Sequence, residues 1–199
     1  MFRQFDYLKT VDSTNDYLKK FVEAREPRMV VAQEQTEGKG RFGHGWYSPL
    51  REGLYVSYLL YPDWEVERAS FLNMIAGLSV ANTIHEMGGT ELPLRLKPPN
   101  DVYILDKKVC GILSEMSSLN NRINWAVVGI GVNLYHQKFP EELESRATSL
   151  HLEGVSVSHP LDFCDHLTHQ LESLYHRLEC GGWEAVQGEH DKYSQSVQG

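Results

Sequence analysis

Cysteine is scarce in this chain of 199 residues: there are three, Cys110, Cys164 and Cys180. An odd number at wide spacing excludes a disulfide framework and gives no paired-thiol zinc motif, so the thiols are expected to pack as small apolar groups. Long apolar runs are missing too. No stretch reaches the length needed to cross a bilayer, and the opening MFRQFDYLKT has neither an apolar signal core nor a small-residue cleavage site. A cytoplasmic protein with no membrane partner is the expectation. Positive charge is in short supply: 19 Lys and Arg against 27 Asp and Glu leave a net charge of −8. Phosphate backbones need clustered cations, so no nucleic-acid partner is expected. Low-complexity tracts and internal repeats are absent. His166 and His169 have helical spacing but no third ligand nearby in the pattern, so no protein-held metal is expected.

What is present reads as an ordinary globular domain, 41% hydrophobic and 23% charged. Residues 3–11 alternate around Phe5, Tyr7 and Val11, which predicts a short strand. Ser13-Thr14-Asn15 offers a cap for a helix carrying Tyr17, Leu18, Phe21 and Val22. MVVAQE at 29–34 and GLYVSYLLY at 53–61 predict strands. Apolar residues recur at helical spacing over 66–87, and Gly88-Gly89 should stop that helix. Strands are predicted at 93–97, 101–105, 109–116 and 123–134, with a hairpin turn at Asp106-Lys107. From about 160 onward, Leu161, Cys164, Leu167, Leu171, Leu174 and Leu178 share one helical face, and Trp183 starts a last helix. Strands joined by short turns predict an α+β fold, a mixed, largely antiparallel sheet backed by helices to one side.

Three segments carry candidate chemistry. Gly38-Lys39-Gly40-Arg41-Phe42-Gly43-His44-Gly45-Trp46 has glycines that let backbone N–H groups approach an anion, two cations, and a flat indole. It reads as a loop that closes on a phosphate-bearing ligand; the plainer reading is a solvated loop. It is neither a Walker loop nor a dinucleotide fingerprint. Lys97-Pro98-Pro99-Asn100-Asp101 puts two rigid prolines before a strand, and Lys108 enters the apolar strand that contains Gly111. Such a lysine could neutralise a buried carboxylate, though an exposed turn lysine is commoner. Gly129 and Gly131 within Val-Val-Gly-Ile-Gly-Val-Asn suggest something packed on strand backbone, or a simple bulge.

Taken in order, these blocks resemble one family. Ser13-Thr14-Asn15, Gln35, the 38–46 loop with Tyr47-Ser48-Pro49, Lys-x-Pro-Asn-Asp, Lys-Lys-Val-x-Gly-Ile-Leu-x-Glu and Gly-Ile-Gly-Val-Asn look like biotin protein ligase over roughly residues 5–195. The resemblance implies the sheet-and-helix fold shared with class II aminoacyl-tRNA synthetases. It implies a ligase that activates biotin with ATP to biotinyl-AMP, with Mg²⁺, and transfers it to a lysine of the biotin carboxyl carrier protein of acetyl-CoA carboxylase. Carried over by motif position, Ser13, Thr14, Asn15 and Gln35 would meet the biotin head, and Gly111, Leu113 and Gly129 would line its pocket. Lys108 would hold the biotin carboxylate. Lys39, Gly40 and Arg41 would belong to the loop that folds over the adenylate. Arg41, His44, Trp46, Lys97, Asn100 and Asn133 would contact ATP, with Trp46 near the adenine. Lys108, Arg41 and Asp101 would be the catalytic set, Asp101 assisting the target amine.

The chain departs from the family pattern at three loop or turn positions: Lys39 and His44 stand for arginines, and Pro98 stands for a tryptophan. A lysine lacks the planar fork, and a histidine makes a weak or pH-dependent phosphate contact. The expected organisation is one catalytic domain over 1–199, with neither an N-terminal winged helix nor a C-terminal SH3-like barrel; a homodimer is left open. Two other readings remain: a lipoate or octanoyl ligase of the same superfamily, and a non-catalytic biotin-binding module. His44 and Pro98 support the module, whereas Lys108 and Arg41 oppose it.

Overall fold

Residues 2–99 and 101–194 are described in the computed structural model. The strands are β1 (Gln4–Leu8), β2 (Arg28–Ala32), β3 (Gly53–Leu60), β4 (Leu94–Lys97), β5 (Asp101–Ile104), β6 (Lys107–Leu119) and β7 (Arg122–Asn133). The helices are α1 (Thr14–Lys19), α2 (Ser70–Glu86), α3 (Glu141–Glu144), α4 (Pro160–Gly181) and α5 (Glu184–Ser194). They build one seven-stranded sheet in the order β1-β2-β3-β7-β6-β5-β4. The β1–β2 pair is parallel and the other neighbours are antiparallel. The α+β architecture, mixed and largely antiparallel, is the one the pattern of strands predicts.

Side chains alternate across a strand, and this alternation separates a core face from a site face. Leu54, Val56, Tyr58 and Leu60 on β3, Ala126, Val128, Ile130 and Val132 on β7, and Cys110 and Ile112 on β6 all belong to the main core. That face is covered by α2, α4 and α5. Buried residues ring α2, from Leu72 to Ile84, because it lies between the sheet and α4. Each large apolar side chain on this face contributes about 1.5–3 kcal/mol on burial, so this face carries most of the stability. The opposite face is only partly covered. There α1, capped by Ser13, packs Leu18 on Val30, Leu59 and Val127. The helices therefore do not all lie to one side.

Where β5 meets β6 the register slips: Val102 faces Cys110 but Tyr103 faces Lys108, leaving Val109 as a bulge. The slip reverses the alternation. Val109 and Cys110 both enter the main core, and Lys108 turns to the same side as Gly111. A regular strand would have sent Lys108 into the apolar layer.

Several boundaries differ from the sequence pattern. β1 ends at Leu8, and Val11 makes an isolated parallel bridge to Gln35. The helix predicted from 66 begins as a 3-10 turn at Val66–Arg68 before α2. It ends at Glu86, and Gly88 follows at a φ of +100°, which few residues with a Cβ adopt. The hairpin turn falls on Leu105-Asp106, with Leu105 at φ 52° and Lys107 already in β6. On α4, Phe163 and Tyr175 join the buried face, while Leu161 is half-buried. Among the described residues no helix is long and apolar enough to cross a membrane.

Candidate active site

The site is built on the glycines of the open face. Gly111 pairs with Gly131, and Leu113 with Gly129, across β6 and β7; Ser57 of β3 pairs with Gly129. The glycines are needed because side chains lie on their backbone. A Cβ at Gly131 would come 2.3 Å from Trp46 Nε1, and one at Gly129 would come 2.3 Å from Asn15 Oδ1. At Gly111 the added atom would meet Trp46 at 2.9 Å and Lys108 Nζ at 3.2 Å. The Trp46 indole thus bridges two strands, with Nε1 buried and lacking a hydrogen-bond partner among the described residues. Above this floor lies a cavity of about 520 Å³, a size suited to a small molecule.

One end of the cavity is polar and uncharged. Gln35 Oε1 accepts from the N–H and the hydroxyl of Thr14, both at 2.9 Å. Gln35 Nε2 donates to Ser48 Oγ at 3.0 Å, and Ser48 Oγ donates to the Trp46 carbonyl at 3.0 Å. Ser57 Oγ lies 2.8 Å from Thr14 Oγ1 and 2.7 Å from Asn15 Oδ1. Asn15 Nδ2 donates to the Leu113 carbonyl and to Glu115. Both donors of its amide are engaged, so Asn15 holds the wall in place rather than offering free donors to a ligand.

The other end is cationic. Lys108 Nζ sits 2.7 Å from Asp101 Oδ1 and 5.2 Å from the centre of the Trp46 ring. The segment after α3 runs beside it: Lys108 N–H donates to the Arg146 carbonyl and Thr148 N–H to the Lys108 carbonyl. Arg146 and Ala147 thereby reach the cavity wall. Asn133 lines the same end, its Nδ2 donating to the Thr148 carbonyl at 2.9 Å. Behind it, His136 is buried against Phe139, their rings 4.9 Å apart and nearly parallel. Burial lowers its imidazole to about 4, against a weaker upward pull from the Glu52 backbone.

The 38–46 loop folds as a short hairpin. Lys39 bridges Gly45, Gly40 N–H donates to the His44 carbonyl, and Trp46 N–H donates to the Gly38 carbonyl. Its tip, Arg41–Gly43, turns through Phe42 at φ 56°, with that ring 85% exposed. The Arg41 guanidinium stacks on the Phe42 ring at 4.7 Å.

The cavity brings together Ser13, Thr14, Asn15, Gln35, Lys39, Gly40, Arg41, His44, Trp46, Asp101, Lys108, Gly111, Leu113, Gly129 and Asn133 from the sequence reading. Two expectations change. Lys97 does not line it: on the edge strand β4 its ammonium rests over the Tyr103 ring, 5.1 Å from the centre, and the side chain is exposed. Asn100 lies outside the described residues. Lys39 lines the cavity, but its ammonium is paired with Asp16 of α1. Sequence reasoning flagged Gly131 as a packed strand glycine without giving it a ligand role, and missed Tyr103, Phe139, Arg146 and Ala147. The missed residues arrive through long-range pairing that leaves no local pattern.

Among the described residues no cluster of three metal-ligating side chains forms. Asp101, the carboxylate lining the main cavity, is already paired. Residues of this kind do not make a cage for Mg²⁺; that ion commonly binds through few protein ligands and nucleotide phosphates.

The family model for biotin/lipoate A/B protein ligases matches residues 7–133. The chain is 38% identical over 129 residues to the bifunctional ligase/repressor BirA of Bacillus subtilis, covering 64% of this chain and 39% of that protein. It is 31% identical over 184 residues to the biotin--[acetyl-CoA-carboxylase] ligase of Paracoccus denitrificans, covering 90% and 76%. It is also similar to the solved biotin protein ligase from Aquifex aeolicus in complex with biotin and ATP, at a TM-score of 0.80 and 30% identity over 98% of this chain and 80% of that one. The chain spans about two fifths of the length of the first curated relatives it matches.

Proposed function

The chain belongs to the biotin/lipoate A/B protein ligase family, and from that premise we propose that it activates biotin with ATP and passes it to a lysine of the biotin carboxyl carrier protein of acetyl-CoA carboxylase. The observation that carries this reading is the two-ended cavity. A neutral hydrogen-bonding wall at Thr14 and Gln35 suits the uncharged biotin head, and the Lys108 ammonium at the other end suits its carboxylate.

A carboxylate oxygen of biotin attacks the α-phosphorus of ATP, the bond to the bridging oxygen breaks, and pyrophosphate leaves. Two anions must approach each other, so Lys108 and Arg41 contribute by neutralising charge where it concentrates. We take Lys108 to exchange Asp101 for the incoming carboxylate as the substrate seats. Released from that pair, Asp101 becomes free to accept a proton from the carrier amine. The amine nitrogen then attacks the acyl carbon of the mixed anhydride, and AMP leaves. Closure of the 38–46 loop keeps water from the anhydride in between. Mg²⁺, carried on the triphosphate, would add further charge neutralisation.

Biotin-dependent exchange of labelled pyrophosphate into ATP tests the first half-reaction. Exchange with biotin, but not with lipoate or octanoate, is the expected result. Exchange with an alternative acid alone would move the substrate to another branch of the family. No exchange with any of them would remove the ligase reading.

A further inference from the structure

We propose that Asp16 is a positioning residue that sets how firmly the 38–46 loop stays closed, by tying the loop stem to α1 and, through α1, to β6. This rests on the ligase reading above. The stem residue Lys39 forms an ion pair with Asp16. Asp16 also meets Lys19 at 2.7 Å, and Lys19 meets Glu115 of β6 at 2.7 Å. Glu115 in turn accepts from Asn15 Nδ2 at 2.9 Å, the amide that lies on Gly129. Charges of alternating sign thus run from loop to helix to sheet. Burial pushes the Asp16 carboxyl up, but hydrogen bonds from Lys19 and Lys39 outweigh it and hold it below its ordinary value. Burial likewise pushes Lys19 down, while Asp16 and Glu115 pull it above its ordinary value. Asp16 and Lys19, at the centre of this row, therefore stay charged throughout the neutral range.

The position of this chain matters more than its strength. Ser13, Thr14 and Asn15 form one wall of the cavity, and Asp16 is the next residue. The wall that meets the acyl ligand and the anchor that holds the loop are one turn of one helix. A ligand seated against that turn fixes the anchor, and a latched loop fixes the wall, which couples the two in both directions. Half-exposed ion pairs shift an equilibrium by a small factor, roughly two- to fivefold. A factor of that size does not decide folding, but it changes how long a reactive adenylate stays beneath the loop.

Two readouts on Asp16→Asn, Lys39→Met and Lys39→Arg test this. The first is chymotrypsin cleavage after Phe42 in the ligand-free protein, with melting temperature measured alongside. Cleavage about threefold faster in Asp16→Asn and Lys39→Met, and near wild type in Lys39→Arg, is expected. The second is the fraction of labelled biotinyl-AMP that escapes into solution before transfer, which should rise in the same order. Added salt should raise both in wild type and leave Asp16→Asn unmoved. Equal cleavage in all four proteins would overturn the latch; faster cleavage with unchanged escape would overturn its role in holding the adenylate. Failure of wild type to form any adenylate would defeat the ligase reading, while the cleavage series would still report on the latch.

Discussion

The Trp46 indole lies so close on the backbone of Gly131 that one added Cβ would sit 2.3 Å from Nε1. Gly131→Ala must therefore push the ring off the cavity floor or strain β7, and overpacking of this kind costs about 1–3 kcal/mol. Because Trp46 sits at the end of a loop, the ring is expected to yield. Calorimetry should show ATP and biotin binding weakened roughly tenfold or more, with secondary structure unchanged by circular dichroism. Unchanged affinities would mean that the indole is no part of the ligand site.

Lys108 and Asp101 share one ion pair at 2.7 Å but serve separate steps in the proposed reaction. Lys108→Ala is expected to lower biotin-dependent pyrophosphate exchange by about a hundredfold or more, the usual scale for removing a charge that stabilises a transition state. Asp101→Asn should leave exchange nearly intact and slow transfer to the carrier. Equal damage to both steps in Asp101→Asn would reduce its role to orienting Lys108.

His136 should make the fold acid-sensitive. Burial holds its imidazole at about 4. As pH falls below ~6.5 the unfolded chain takes up a proton that the folded chain refuses until about 4, so stability drains across that window by on the order of 3 kcal/mol. His136→Phe keeps the stack on Phe139 and removes the titrating group. Its melting temperature should fall less than wild type between pH 7 and pH 4. Parallel curves would assign the acid sensitivity elsewhere.

His44 lines the cavity from the exposed loop, at a position where an arginine would carry a permanent, forked charge. His44→Arg is expected to tighten ATP binding by about threefold at neutral pH, the scale of a partly exposed ion pair. Titration calorimetry at constant salt reads this directly. Weaker binding would show that the loop turns this side chain away from the phosphates.

Much of this architecture was legible from local pattern. The β-branched and aromatic run of β3, the one-sided helical spacing of α4 and the glycines that follow α2 each mark an element without long-range information. Motif order placed Lys108, Gln35 and Thr14 in one site. The bulge at Val109 was not legible, since nothing in Lys-Lys-Val-Cys-Gly marks an extra residue; it arises from pairing with β5. The same limit hid Arg146 and Ala147, which reach the cavity only because their segment bonds to Lys108. Asn15 was visible as a site residue, but its bonds to Ser57, Leu113 and Glu115 depend on three distant strand positions. Lys97 was misplaced because a motif gives sequence neighbours and not the strand edge on which a side chain rests.

The two faces of the sheet imply that β6 and β7 carry two interleaved messages. A saturation scan should find even-numbered positions from 126 to 132 governing whether the protein survives heating, and odd-numbered positions 129 and 131 governing whether it turns over. On β6 the same parity should hold at 110 to 113 and then invert, with 109 behaving as a core position and 108 as a chemical one. That one-residue phase jump would make the bulge visible in phenotype data alone.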